Sequence, residues 1–257
     1  MSDAFAADST GRPGRGPAMT AAAVLLVLVG LAIAAPVVTP YGPDVLDLAG
    51  RRAAPSWGHP FGTDELGRDL FTRVLYGARI SLAIGLLSAI VAGAVGTLVG
   101  SLSGLGHRWL DDVLMRLTDT MLAVPRLPLL MIAAVILEPG VSGLIALVGL
   151  VGWMEVARLI RAELLSLKTR EFVFAARAIG VRPARLLWRH LLPAVVPTLT
   201  VAGTLSVARS ILLESALSFF GVGVQPPTPS WGNMLYQAQT TMSTEPWLAL
   251  FPGLFIF

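Results

Sequence analysis

The chain has 257 residues, of which 54% are hydrophobic and 14% charged, against about 25% charged in an ordinary soluble domain. That balance excludes disorder and an ordinary soluble enzyme. The absence of cysteine excludes disulfides, thiolate metal sites and a cysteine nucleophile. The formal charge of +3 does not point to nucleic acid, because the basic residues, all Arg except Lys168, sit in short segments between apolar runs. In a membrane protein such placement sets topology.

A membrane span needs about 20 mostly apolar residues. The first candidate is Ala18 to Val38, after a polar tail over 1–17. Ala32-Ile33-Ala34 has the small-x-small look of a signal-peptide cleavage site. The apolar run is nevertheless longer than the roughly 7–15 residues of a signal-peptide core, and it reads as a retained span. Residues 39–78 form a polar outer segment with Pro40, Pro43, Pro55 and Pro60. Its end reads as an amphipathic helix: Thr63 is a candidate N-cap followed by Asp64 and Glu65. Leu66, Leu70, Phe71, Val74 and Leu75 recur on one face, and Asp69 and Arg73 form an i,i+4 pair. Such a helix lies along a membrane surface or packs on the protein.

The second span is Ile80 to Gly106, where Gly85, Gly93, Gly96 and Gly100 allow close helix approach. A charged loop, 107–116, leads to a third span near Leu117 to Leu137 and a fourth near Gly140 to Ile160. Residues 161–192 are the most polar internal stretch. A fifth span covers about Leu191 to Leu213, and the outer loop 215–246 carries no Lys or Arg. Trp247 to Phe257 begins a sixth apolar segment, which at 1.5 Å per residue reaches only about 16 Å. The expectation is therefore all-α, a polytopic helical membrane protein with six transmembrane helices, the last incomplete in this chain and the chain truncated. The basic bias places the N-terminus, 107–116 and 161–192 in the cytoplasm. The arginines of 39–78 run against that rule, but long outer segments translocate with less regard for charge.

The stretch 161–192 carries the most specific pattern. Ala162 to Ile179 is rich in helix formers, Gly180 breaks it, and Pro183 suits the first turn of a second short helix. Pro193 closes the unit at the next span, and the small Ala175 and Ala176 let another protein approach the backbone. On physics alone, a solvated basic loop that only sets topology is the favoured reading. The run FAARAIGVRPARLLWRHLLP resembles the cytoplasmic coupling motif of ABC importer permeases, E-A-A-x3-G-x9-I-x-L-P. Ala175, Ala176, Gly180, Leu192 and Pro193 match, whereas Phe174 stands for Glu and His190 for Ile.

Two further runs, His59 to Leu82 and Glu214 to Leu235, resemble the C-type permeases of dipeptide, oligopeptide and nickel importers. The resemblance covers most of the chain from His59 onward. It implies a permease domain over 18–257 in a bacterial inner membrane, with a cytoplasmic coupling helix that seats in a groove on an ATPase. It also implies a second related permease, two ATPase subunits or domains, and an extracytoplasmic substrate-binding protein, all around a lipid bilayer. No G-x-x-x-x-G-K-[ST] occurs. The chain is thus expected to hold no cofactor, with ATP and Mg on the partner ATPases, and to perform no chemistry itself. Short peptides are the expected substrate; nickel or another small solute stays open.

Arg126, flanked by Pro125 and Pro128, falls near mid-depth of the third span. A charge there costs roughly 2.5–3.5 kcal/mol on insertion scales, so it faces protein or water. One reading is a pathway-lining cation that meets a peptide carboxylate; the other is a partner for a neighbouring helix. Arg209 and Glu214, near the outer end of the fifth span, are poorly placed for each other and read as interface anchors, as do Asp119, Glu155 and Arg158 at the inner face. The Pro-rich outer loop carries Gln225, Pro226, Pro227, an exposed-looking Trp231 and Asn233. By resemblance these lie near a docked binding protein; a re-entrant cap over the bundle is compatible with the same residues. A gradient-driven transporter would carry paired acids at mid-membrane and an inverted repeat, and a membrane enzyme would cluster its His or acids. Neither pattern is clear here, and His59, His107 and His190 are scattered.

Overall fold

The computed structural model describes residues 15–257, so the N-terminal tail expected over 1–17 lies largely outside the described residues. Ten helices follow in order among them: α1 (Arg15–Val38), α2 (Leu70–Leu105), α3 (Arg108–Ala123), α4 (Arg126–Leu137), α5 (Val141–Leu167), α6 (Glu171–Ala178), α7 (Pro183–Leu186), α8 (Leu192–Phe219), α9 (Trp231–Ala238) and α10 (Trp247–Ile256). A wide turn of π-helix over Leu187–Leu191 joins α7 to α8 without a break.

The six expected apolar segments are present, in three forms. Leu70–Leu105, Val141–Leu167 and Leu187–Phe219 are each long and apolar enough to cross a membrane. The third expected span is broken instead of straight, because α3 and α4 meet at 85°. Pro125 is the cause: it stands at the N-cap of α4, and the residue before a proline is pushed out of helical geometry, as the extended Val124 shows. Ala23–Val38 and Trp247–Ile256 are shorter apolar helices. The loop expected over 107–116 is helical and forms the first half of α3.

α2 corrects the expected surface helix. It has 36 residues and takes in the second span and the amphipathic stretch from Leu70 onward, while residues 63–69 are not helical. Its N-cap is Asp69, not Thr63: Asp69 Oδ2 accepts from the Thr72 amide at 2.8 Å and hydroxyl at 2.7 Å. Thr63 is used elsewhere, donating to the Gly50 carbonyl at 2.5 Å and accepting from the Ala53 amide at 2.8 Å. The expected Asp69–Arg73 pair does not form. Arg73 is buried and turns instead to the Pro43 carbonyl at 3.0 Å, Asp44 at 3.5 Å and Asp64 at 3.6 Å. Asp69 takes His59 Nδ1 at 2.9 Å. The preceding turn needs Gly67 at φ +76°, where a Cβ would fall 1.7 Å from the Asp47 carbonyl oxygen.

α2 and α5 run parallel in close contact, and glycine makes this possible. A Cβ on Gly96 would lie 2.5 Å from Val156 Cβ, and one on Gly100 2.6 Å from the Ala157 carbonyl oxygen. α8 packs antiparallel on α2, with Ile211 seated over Gly85. Gly93 meets nothing within 4 Å and faces an apolar groove between α1, α2 and α8. Three cores result. A central one joins Ile84, Leu130, Leu144, Met154 and Leu217. A second, at the end that carries residues 39–69, joins Leu70, Val74, Ile211, Trp231 and Leu248. The third, at the opposite and more basic end, joins Val156, Ile160, Leu164, Val173, Leu186 and Leu191.

Candidate coupling surface and charge cluster

At the basic end the helix expected over 162–179 is interrupted. α5 runs on to Leu167, and a turn at Lys168–Arg170 reverses the chain into α6. Burial, and then nearby Arg177, hold the Lys168 ammonium below its ordinary pKa. Glu171 in the first turn and Arg177 in the last complement the dipole of α6. The helix ends as the glycine foretold. Gly180 takes φ +78°, its amide bonds the Arg177 carbonyl at 3.0 Å, and Val181 reaches back to Ala176 at 3.0 Å. The second short helix begins at Pro183, as expected.

The two motif alanines point in opposite directions. Ala176 is 9% exposed and packs with Val173 into the core at this end, so it is not a surface for another protein, contrary to expectation. Ala175 is exposed, and Phe174, in the motif's glutamate position, is 57% exposed. Phe172, Ile179 and Trp188 are also exposed, among Arg170, Arg177, Arg182, Arg185 and Arg189. Exposed apolar side chains and exposed cations thus alternate along this stretch. Leu192 is half-buried and Pro193 exposed. Pro193 does not close the unit: the helix runs through it, and the π-turn just before it absorbs the missing amide donor and the bulk of the ring.

Arg126 opens α4 at the break in the third apolar segment. Its Nη2 lies 2.8 Å from Glu155 Oε1 on α5, and the other Glu155 oxygen takes Arg209 Nη1 from α8. The side chains are 25%, 44% and 55% exposed for Arg126, Glu155 and Arg209. One carboxylate thus bridges two guanidiniums on three helices. Two more ion pairs follow along α5. Arg158 meets Asp119 of α3, and Arg161 grips Asp111 at 2.5 and 2.6 Å through both oxygens. Glu155, Arg158 and Arg209 are therefore helix-bridging residues, not the simple interface anchors expected.

Glu214 is likewise no anchor. It is fully buried, and its oxygens accept from Ser218 at 2.8 Å and Ser81 at 3.1 Å. Those hydroxyls in turn receive the amides of Val224 at 3.0 Å and Trp231 at 3.2 Å. The network clips the loop after α8 to α2. Trp231, expected on the surface, is 1% exposed and donates through Nε1 to the Val74 carbonyl at 3.1 Å. Asn233 is also buried, forming a capping box with Ser230 and donating to the Thr228 carbonyl at 2.7 Å. Of the expected loop contacts, only Gln225, Pro226 and Pro227 are exposed. The reading of this stretch as a cap over the bundle describes Trp231 and Asn233.

A bundle of long apolar helices, a charged break inside one of them and a basic turn-helix at one end define a membrane transport subunit. The chain belongs to the family described as binding-protein-dependent transport system inner membrane component, whose model matches residues 96–257. It is 45% identical over 220 residues to a protein of Brucella suis biovar 1 (strain 1330) provisionally named a peptide permease protein, covering 85% of this chain and 73% of that one. It is 40% identical over 241 residues to the glutathione transport system permease protein GsiD of Escherichia coli O6:K15:H31, covering 93% and 80%. To the oligopeptide transport system permease protein OppC of Bacillus subtilis it is 36% identical over 239 residues, covering 93% and 78%. Its fold matches a chain of the inward-facing MetNI methionine ABC transporter with a TM-score of 0.60 at 20% identity, over 73% of this chain and 88% of that one. The chain is an inner-membrane permease component of an ABC transporter.

Proposed function

We propose that this chain forms one half of the translocation path of an ATP-driven importer for di- and oligopeptides. A second related permease supplies the other half. Two cytoplasmic ATPase subunits bind ATP and Mg, and an extracytoplasmic binding protein delivers the peptide to the face that carries 39–69 and 220–230. The N-terminus and the basic end lie in the cytoplasm, in keeping with the Arg and Lys bias.

The observation that carries the reading is the surface of α6. Phe174, Ala175 and Ile179 stand exposed while Val173 and Ala176 share a small core with residues of α5, α7 and α8. Through that core a displacement of α6 by an ATPase is carried to the spans. Phe174, where the motif has glutamate, gives the ATPase an apolar contact in place of an ionic one. The peptide substrate is supported by the names of the relatives.

The test is a mild-detergent pull-down of the tagged chain from its native membrane, with an ATPase assay of the eluate and peptide uptake after reconstitution. A co-purifying second permease, an ATP-hydrolysing subunit and ATP-dependent peptide uptake are expected. A lone, ATP-silent chain that nevertheless moves solute down an ion gradient would reverse the assignment.

A further inference from the structure

We propose that Arg126 and Arg209, bridged by Glu155, form a transit site for the terminal carboxylate of a peptide, which displaces Glu155 as it passes. This rests on the importer reading above.

Depth comes first. Glu155 is the fifteenth of the 27 residues of α5, and Arg209 lies well inside α8. Arg126 stands at the break that divides the third apolar segment. Three ionised groups at such depth are too costly to face lipid, so their open side meets water or protein. Each remains a quarter or more exposed on this chain, which leaves room for a further ligand.

Charge comes second. Two guanidiniums share one carboxylate, leaving a formal charge of +1. The neighbouring Arg158–Asp119 and Arg161–Asp111 pairs are each balanced and do not cancel it. Each guanidinium offers five N–H donors, and Glu155 gives only one oxygen to each. Donor capacity is therefore left over. The positive end of α4 opens at the same residue, which favours an anion further.

Ligand class comes third. Glu155 is already a carboxylate held between two arginines, so the geometry suits a second carboxylate of the same size. A planar guanidinium pairs with such a group through two parallel hydrogen bonds. A peptide with a free C-terminus carries that group and a C-terminal amide lacks it. Exchange also loosens Glu155 from α4 or α8, so that passage of the substrate and release of the three-helix tie are one event.

The experiment uses the complete importer in proteoliposomes with its binding protein. It compares ATP-driven uptake of a subsaturating radiolabelled tripeptide and of its C-terminal amide, in wild type, Arg209→Gln and Glu155→Gln. Arg209→Gln is expected to slow uptake of the free acid roughly tenfold, as for loss of a charged hydrogen bond, and to affect the amide several-fold less, so that the acid-to-amide ratio falls. Glu155→Gln is expected to raise uptake of the free acid severalfold, a direction that misfolding does not produce. The same binding protein serves all three, so its own preference cancels. If wild type carries no amide, the opposite signs of the two variants on the free acid decide. A Glu155→Gln importer with unchanged or lower free-acid uptake, or an Arg209→Gln importer impaired alike on acid and amide, overturns the site and leaves the importer reading standing. A wild-type importer that moves no peptide at all overturns both.

Discussion

At the residue scale, side-chain direction separates motif positions that look alike in sequence. Ala175 and Ala176 are adjacent and equally small, yet only Ala176 joins the core beneath α6. Because the chain has no native cysteine, Ala175→Cys is expected to form a disulfide with a cysteine introduced into the facing groove of the ATPase subunit when the intact complex is treated with an oxidant. Ala176→Cys is expected to stay unreacted, and the two yields on a gel decide the matter. Trp231 sits in a well-packed site beside Phe255, with its indole nitrogen satisfied. Trp231→Ala is expected to cost about 3–5 kcal/mol, seen as a lower melting temperature in detergent and faster proteolysis of the loop after α8. The charges at Arg126 and Glu214 were legible as residues in apolar runs, but their partners were not. Glu155, Arg209 and Ser81 lie on other helices, and spacing along a chain says nothing about contacts between spans. Glu214–Ser218 was within reach of a sequence reading, being an i,i+4 pair.

At the element scale, local patterns held wherever the deciding interaction is local. Gly180 ends α6 because its amide and that of Val181 bond backward within the same helix. Gly180→Pro is expected to distort that ending and uncouple ATP hydrolysis from uptake. Hydrolysis should persist while transport falls roughly tenfold, within the range of ordinary coupling energies. Thr63 failed as a helix start for the opposite reason, since residues 50–53, distant in sequence, claim its hydroxyl. The glycines of α2 separate in the same way. Gly96→Leu is expected to force α2 from α5 and destabilise the bundle by about 1–3 kcal/mol or more, whereas Gly93→Leu, with open space around it, is expected to be near neutral. Thermal unfolding of the two purified variants side by side checks this.

At the scale of the whole molecule, the helical membrane class and the order of the apolar segments were legible because a span must be long and apolar regardless of what it touches. The loss of straightness in the third segment was only half legible, since Pro125 marks the place and not the angle. The continuity of α2 was hidden by its polar first turns, where Arg73 is buried by groups from outside the helix. That continuity has a mechanical meaning. With 36 residues, α2 is a strut about 54 Å long at 1.5 Å per residue. Its top is bolted by Asp69 to the loops around His59, and its lower half is bonded flush to α5, which leads straight to the turn before α6. Load arriving at either face is borne along one unjointed member, so the two faces of the membrane are in mechanical series and neither can shift without the other registering it.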